Sequence, residues 1–278
     1  MAEPEPSAPQ FMDLSVPEYA YMFGFLQADG HLAQGPGQKG RLSVEISVRD
    51  IEILREFQKL TPYNSTISER TRSTNFAETH TSATWTLCSL EARTRLNELG
   101  LPYGRMSQEI APPSVPLSTR DYLRGIVDGD GSVGYMWQGF PFISLTTAST
   151  AISAYLSSYA EAVTQVARAP RRNSRDNVYN ITYVTDAAQQ LCAYLYYPGC
   201  LCLERKRSTA EAISSWRRPV NVKATHRRRW TEQEDRLLLG ASSLTHIAAE
   251  LNRSENACQD RRWKLTHGWA PWPGDATG

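Results

Sequence analysis

The chain of 278 residues is long enough for one large domain and a small one, or for three small units. No apolar run approaches the length of a membrane-spanning helix, and the five cysteines form no Cys-x-x-Cys pair, as expected of reduced thiols in an intracellular protein. The near-balanced charge (30 basic against 29 acidic side chains) hides a basic stretch in the last third: Arg205, Lys206, Arg207, Arg217, Arg218, Lys223, Arg227, Arg228 and Arg229 face only Glu204 and Glu211, a distribution suited to phosphate contact.

In chain order, residues 1–12 are rich in Pro, Ala and Glu without an apolar centre, and read as a disordered tail rather than a signal peptide. Ser15-Val16-Pro17-Glu18 has the form of a capping box opening a helix, which Asp29-Gly30 closes with a left-handed glycine. Alternation over 41–48 predicts a strand. Asp50 then caps a helix over 51–60, stopped by Pro62. Thr/Ser-rich alternating stretches at 66–73 and 82–88 predict a hairpin around Asn75, and Ser89 caps a helix ended by Gly100. From Ser118-Thr119-Arg120-Asp121 the order repeats: a helix to Asp130-Gly131, a strand at 140–147, a Ser149-capped helix over 150–166, a strand at 177–184, and an Asp186-capped helix to about Tyr197. Beyond Trp230, Thr231-Glu232-Gln233-Glu234 is a second kind of capping box, and three short helices follow from Glu232, Ser243 and Ser254, with two tryptophans for a minimal core.

Two stretches in this order say nearly the same thing. Tyr21-Met22-Phe23-Gly24-Phe25-Leu26-Gln27-Ala28-Asp29-Gly30 returns as Tyr122-Leu123-Arg124-Gly125-Ile126-Val127-Asp128-Gly129-Asp130-Gly131. Gly24 with Ala28, and Gly125 with Gly129, put two small residues on one helix face, so that two backbones can pack closely. Asp29 and Asp130 then stand at helix C-termini, where the dipole disfavours negative charge unless a cation compensates. Two such carboxylates brought together attract Mg²⁺, which prefers oxygen ligands.

These segments resemble the two motifs of the single-chain LAGLIDADG homing endonucleases, departing at Gln27, where an acid is common, and at His31. The resemblance implies an α+β fold of two pseudo-symmetric αββαββα halves, at 13–112 and 113–216, whose saddle-shaped antiparallel sheets lie in the DNA major groove. It implies that Asp29 and Asp130 bind the catalytic divalent metal, Mg²⁺ with Mn²⁺ as substitute, beside the backbone of Ala28, Gly30 and Gly129. Gly24 and Gly125 form the helix interface. A basic residue after the last helix of each half acts near the phosphate; Lys206 matches that position, and Arg105 matches it more loosely because Met106 can align there instead.

Side chains suited to reading DNA stand on the predicted sheets and loops: Arg41, Glu45, Arg49, Arg70 and Arg72 in the first half, and Thr146, Thr147, Arg168, Arg171, Arg172 and Arg175 in the second. Each reads equally as a base or phosphate contact or as a solvated group. After a basic linker at 217–229, containing Arg227, Arg228 and Arg229, residues 230–267 resemble a Myb/SANT-type helix-turn-helix domain through 229–235 and the Asn252-Arg253-Ser254 start of the third helix. That resemblance implies a third helix in the major groove offering Asn256, Gln259, Asp260, Arg262 or Lys264; residues 268–278 form a tail. Together the two resemblances imply a monomeric, intracellular, site-specific endonuclease acting on a long non-palindromic double-stranded DNA target, wherever the target genome lies, for example in a bacterial or phage-infected host. A catalytically silent DNA-binding regulator and an RNA-binding intron maturase are alternatives on the same scaffold.

Overall fold

The structure is a computed structural model that describes residues 10–74, 77–104, 107–219 and 230–267, with the side chains of 73–80 left aside. It divides into two compact units, Met1–Arg218 and Pro219–Gly278. The first unit is α+β and holds two similar halves. Half one runs α1 (Pro17–Asp29), β1 (Gly30–Ala33), β2 (Arg41–Ser47), α2 (Ile51–Leu60), β3 (Ser65–Thr74), β4 (Ala77–Leu87) and α3 (Leu90–Glu98), with an antiparallel sheet ordered β1-β2-β4-β3. Half two runs α4 (Thr119–Asp130), β5 (Gly131–Tyr135), β6 (Pro141–Thr147), α5 (Thr150–Thr164), β7 (Tyr179–Val184) and α6 (Thr185–Leu195), and α7 (Glu204–Ser214) follows. Its antiparallel sheet is ordered β5-β6-β7.

The repeat extends beyond the motif helices. Gly30 faces Val44 across the first hairpin and Gly131 faces Leu145 across the second, the same offset that separates Asp29 from Asp130. β7 pairs with β6 as β4 pairs with β2. In the place of β3, half two has residues 165–178, which meet β7 through a single bridge between Arg172 and Tyr179.

Period-two alternation gives each sheet one apolar and one polar face. Leu32, Leu42, Val44, Ala83, Trp85 and Leu87 are buried under the first sheet, and Ile143, Leu145, Ile181 and Tyr183 under the second. One core joins the two halves, and within it Phe57 lies edge-on to both Phe25 (5.4 Å) and Trp85 (6.1 Å). Each fully buried side chain of this kind contributes about 1.5–3 kcal/mol.

Several local expectations are revised by tertiary contacts. Ser15 does not cap α1: it bonds Asp13 (2.7 Å), and Val16 is the N-cap. Ser118 bonds the Asp121 side chain rather than a backbone N–H. Gly30 and Gly131 are extended, not left-handed, because each helix turns directly into a strand. Asp50 turns from α2 to Arg205 (3.0 Å), and the N-cap of α6 is Val184, with Asp186 in the first turn. Phe11 and Met12 are buried, Phe11 edge-on to Tyr19 and Tyr63, so folded chain begins before residue 13.

The second unit has α8 (Glu232–Gly240), α9 (Leu244–Glu250) and α10 (Glu255–Thr266). The Thr231/Glu234 capping box forms, with bonds of 3.2 and 2.9 Å. Leu238, Ile247, Ala248, Leu251 and Cys258 make the core, flanked by Trp230. Trp263 is not in it; that ring lies exposed, stacked on His267 at 4.5 Å. Among the described residues no helix is long and apolar enough to cross a membrane.

Candidate active site

α1 and α4 pack along each other at the seam between the halves. The approach is close because Gly24 and Gly125 lack side chains: a Cβ at Gly24 stands 2.2 Å from the Tyr122 carbonyl oxygen, and one at Gly125 stands 2.1 Å from that of Tyr21. At the far end of the seam a Cβ at Gly129 meets the Ala28 Cβ at 2.3 Å and lies 3.5 Å from Asp29 Oδ2. The glycine therefore leaves room for the Ala28 methyl against the end of α4, with the Asp29 carboxylate beside it at ordinary contact distance.

Asp29 and Asp130 end their helices here, and both reach solvent. Their carboxyls are nonetheless crowded by protein. Loss of hydration raises Asp29, opposed by the charges of Lys206 and Arg205. Asp130 is pushed up to about 7, first by desolvation and then by the charge of Asp29, with Lys206 opposing. Asp130 thus feels the charge of Asp29 across the seam.

Beneath them lies a layer that sequence reasoning left undescribed. Asp128 is buried and accepts from Tyr21 Oη (2.8 Å), Tyr196 Oη (2.7 Å) and the Leu203 backbone N–H (2.8 Å). Its counterpart Gln27 accepts from Tyr122 Oη (2.6 Å) and donates to the carbonyls of Gly100 and Ala111. Superposing the two motif copies pairs Tyr21 with Tyr122 and Gln27 with Asp128, a signal present in the sequence; nothing there marks Tyr196. Buried Arg124 joins the carbonyls of Leu195 (3.0 Å) and Leu201 (2.8 Å) to Asp121 (2.5 Å), which holds the 195–203 segment against α4.

Lys206 is buried, and its Nζ donates to the carbonyls of Val127 (2.7 Å), Asp128 (2.8 Å) and Gly131 (2.8 Å). In the structure all three donors are committed to the C-terminus of α4, where a cation offsets the helix dipole. Burial lowers its pKa to about 8, against the raising effect of Asp128. Arg205 is paired with Asp50, and Arg105 lies outside the described residues.

The donor set fits a hard divalent cation. With all groups ionised, Asp29, Asp50, Asp128 and Asp130 exceed Arg205 and Lys206 by two negative charges. Among the described residues no three His, Cys, Asp or Glu side chains gather round one point. The two acids are the side chains that would hold such an ion, its remaining positions falling to backbone oxygens, water and substrate, as is common for Mg²⁺.

Each acid leads directly into an edge strand, and two residues later the polar face of a sheet begins, at His31 and Ser132. In half one that face holds Arg41, Ser43 and Glu45 on β2, Ser82, Thr84 and Thr86 on β4, and Ser68, Arg70 and Arg72 on β3. Arg72 pairs with Glu45 (3.1 Å), which also accepts from Ser82 (2.7 Å). Arg49 is exposed beside Asp50. In half two Thr146 lies exposed and bonded to Asn180 (2.8 Å), whereas Thr147 is buried and its hydroxyl accepts from the Ser149 N–H (3.1 Å), which removes it from the polar face. Arg172 is tied to Ala148, Thr150 and Asn177, and Arg175 to Asp176; Arg168 and Arg171 are exposed. In the second unit Asn256 and Gln259 are exposed on α10, Arg262 donates to the Ala241 carbonyl (2.7 Å), and Lys264 pairs with Asp260 (2.6 Å). Arg227, Arg228 and Arg229 lie outside the described residues.

Among solved structures the chain is similar to the homing endonuclease I-WcaI bound to its DNA recognition sequence, at 12% identity over 74% of this chain and 94% of that one, with a TM-score of 0.48. It is similar to the I-LtrWI LAGLIDADG homing endonuclease bound to target DNA (10% identity, 71% and 88% covered, TM-score 0.42). It is also similar to I-SmaMI bound to uncleaved DNA target in the presence of calcium ions (13% identity, 61% and 79% covered, TM-score 0.39). No family model and no curated protein matches the sequence.

Proposed function

We propose that the chain is a site-specific DNA endonuclease of the LAGLIDADG homing class, hydrolysing both strands of a duplex with divalent metal ions. One observation carries this reading: Asp29 and Asp130, equivalent residues of an internal repeat, end the two helices of one seam, where the charge of Asp29 helps to raise the proton affinity of Asp130, and each runs straight into a strand with a polar face. Bound there, Mg²⁺ or Mn²⁺ supplies an activated water and stabilises charge on the phosphate. The acids hold the cation. Asp128, Gln27 and the two tyrosines fix the helix ends that carry the acids, and Lys206 holds the end of α4 as a positioning residue.

Arg41, Glu45, Arg49, Arg70 and Arg72, with Thr146, Arg168 and Arg171, form the duplex-facing set. Arg and Thr side chains on antiparallel ribbons suit base edges and phosphates in the major groove. The halves differ in sequence, so the target is non-palindromic. Both acids come from one chain, so the active form is a monomer, working wherever the target genome lies. The second unit is a Myb-like helix-turn-helix module that lengthens the site through Asn256 and Gln259 on α10.

The test is a cleavage-site selection on randomised duplex DNA with Mg²⁺, followed by assay of the selected site. Asp29→Asn and Asp130→Asn each abolish double-strand cleavage while Kd changes by less than about threefold, because the removed charge serves the metal. Normal cleavage by either variant ends the assignment of the site, and tight binding without cleavage by the wild type identifies a silent regulator instead.

A further inference from the structure

The β5–β6 hairpin ends in an apolar tip that the endonuclease reading leaves without a task. Trp137 is 92% exposed, and Tyr135 and Met136 before it are 42% and 37% exposed. The turn does not need an indole there. It is closed by backbone bonds from Met136 N–H to the Phe140 carbonyl and from Gly139 N–H to the Met136 carbonyl, each 2.8 Å, with Gly139 at φ +78°. A tip so shaped holds a rigid ring out into solvent.

Its surroundings point to one occupant. The hairpin bears no charged residue of its own. Phe140, on the return side of the turn, lies edge-on to Trp216 at 6.4 Å; the Arg218 guanidinium lies 5.8 Å from that indole while ion-paired with Asp186, and the cation presented to solvent beside the rings is exposed Arg217. Aromatic rings beside arginines are what nucleic acids meet: the cations follow the phosphates while the rings stack on bases or sugars. On the acid side, β5 runs unbroken from Asp130 through Ser132 on the polar face. At about 3.3 Å per residue, Trp137 stands no more than ~23 Å from that acid, or roughly seven base-pair steps of 3.4 Å.

We infer that Trp137 is a nucleic-acid contact, its ring placed against the bases or sugars of the duplex within about seven base pairs of the cut. This rests on the endonuclease reading and adds to it a recognition element whose contribution is apolar rather than ionic.

The experiment measures Kd of the full-length chain for its selected duplex, across a salt series in Ca²⁺ to suppress cutting, for wild type, Trp137→Ala and Trp137→Phe. Trp137→Ala is expected to weaken binding about tenfold at every salt concentration, with the slope of log Kd against log salt unchanged because no phosphate contact is lost. Trp137→Phe recovers most of that loss, and the thermal midpoints of all three proteins agree. Unchanged Kd in Trp137→Ala overturns the inference while leaving the endonuclease reading intact. So does a loss that Phe does not restore, a lowered thermal midpoint, or a wild-type self-association on sedimentation that Trp137→Ala abolishes. A wild type without affinity for any duplex ends both.

Discussion

The Tyr21 hydroxyl donates to the Asp128 carboxylate at 2.8 Å across the helix seam, and its counterpart, the Tyr122 hydroxyl, donates to Gln27 at 2.6 Å. Each tyrosine reaches from one motif helix to the residue two positions before the acid of the other. The cross-link is reciprocal in geometry but unequal in charge. Asp128 is a buried carboxyl whose proton affinity burial raises, with Lys206 and its three hydrogen bonds acting against that rise. Hydrogen bonds to charged groups contribute about 1.5–3 kcal/mol, neutral ones about 1 kcal/mol. Tyr21→Phe is therefore expected to destabilise the first unit more than Tyr122→Phe does, by about 1 kcal/mol, in urea unfolding.

Ala substitution in a helix ordinarily stabilises relative to Gly, by up to about 1 kcal/mol. At Gly24 and Gly125 the sign inverts, because the added Cβ falls 2.2 and 2.1 Å from carbonyl oxygens of the facing helix. The helices must separate, and a loss of about 1–3 kcal/mol or more is expected in either variant. Gly240, at the end of α8, has open space where a Cβ would stand, so Gly240→Ala is expected to be neutral or stabilising. Paired thermal melts decide both.

Lys206→Met keeps the aliphatic stem and removes three hydrogen bonds to the end of α4. The carbonyls of Val127, Asp128 and Gly131 lose their partner, at a cost of about 1–3 kcal/mol. A lowered urea midpoint is expected in metal-free protein. An unchanged midpoint with lost cleavage would instead mark Lys206 as a group serving the phosphate alone.

Asp130 titrates near 7 in the folded chain, well above the unfolded carboxyl value of 3.8. Folding favours its protonated form, so that contribution to stability is complete below about pH 4 and is lost as pH rises through 7. In EDTA, Asp130→Asn is therefore expected to gain on the wild type between pH 5 and pH 8. The gain stays below about 1 kcal/mol because the carboxylate reaches solvent. Millimolar Mg²⁺ at pH 8 then raises the wild-type melting temperature but not that of Asp130→Asn. Melts in both buffers read the two effects.

Much of the scaffold was legible along the chain. The predicted strand at 41–48 and helix at 51–60 match β2 and α2, and Ser89, Ser149, Thr231, Ser243 and Ser254 cap the helices they precede. The αββαββα order implied by the resemblance places a strand after each motif helix, but no alternation in the residues marks β1 or β5. They are short and glycine-rich, and only their partners β2 and β6 make them strands. The polar strands showed which residues could meet DNA, but not that Thr147 turns inward at the entry to α5, nor that Arg172 is held by Ala148 and Thr150.

What the sequence determined by itself is the twinned motif: small residues four apart on one helix face, each copy ending in an acid, because close helix packing and its glycines are local properties of spacing. What only the tertiary structure decided is the treatment of charge around those acids. Lys206 caps α4, Arg205 goes to Asp50, and Asp128 takes donors from Tyr21, Tyr196 and Leu203. Those partners lie 75 to 155 residues apart in most cases, and a buried charge accepts whichever donors the fold brings within reach.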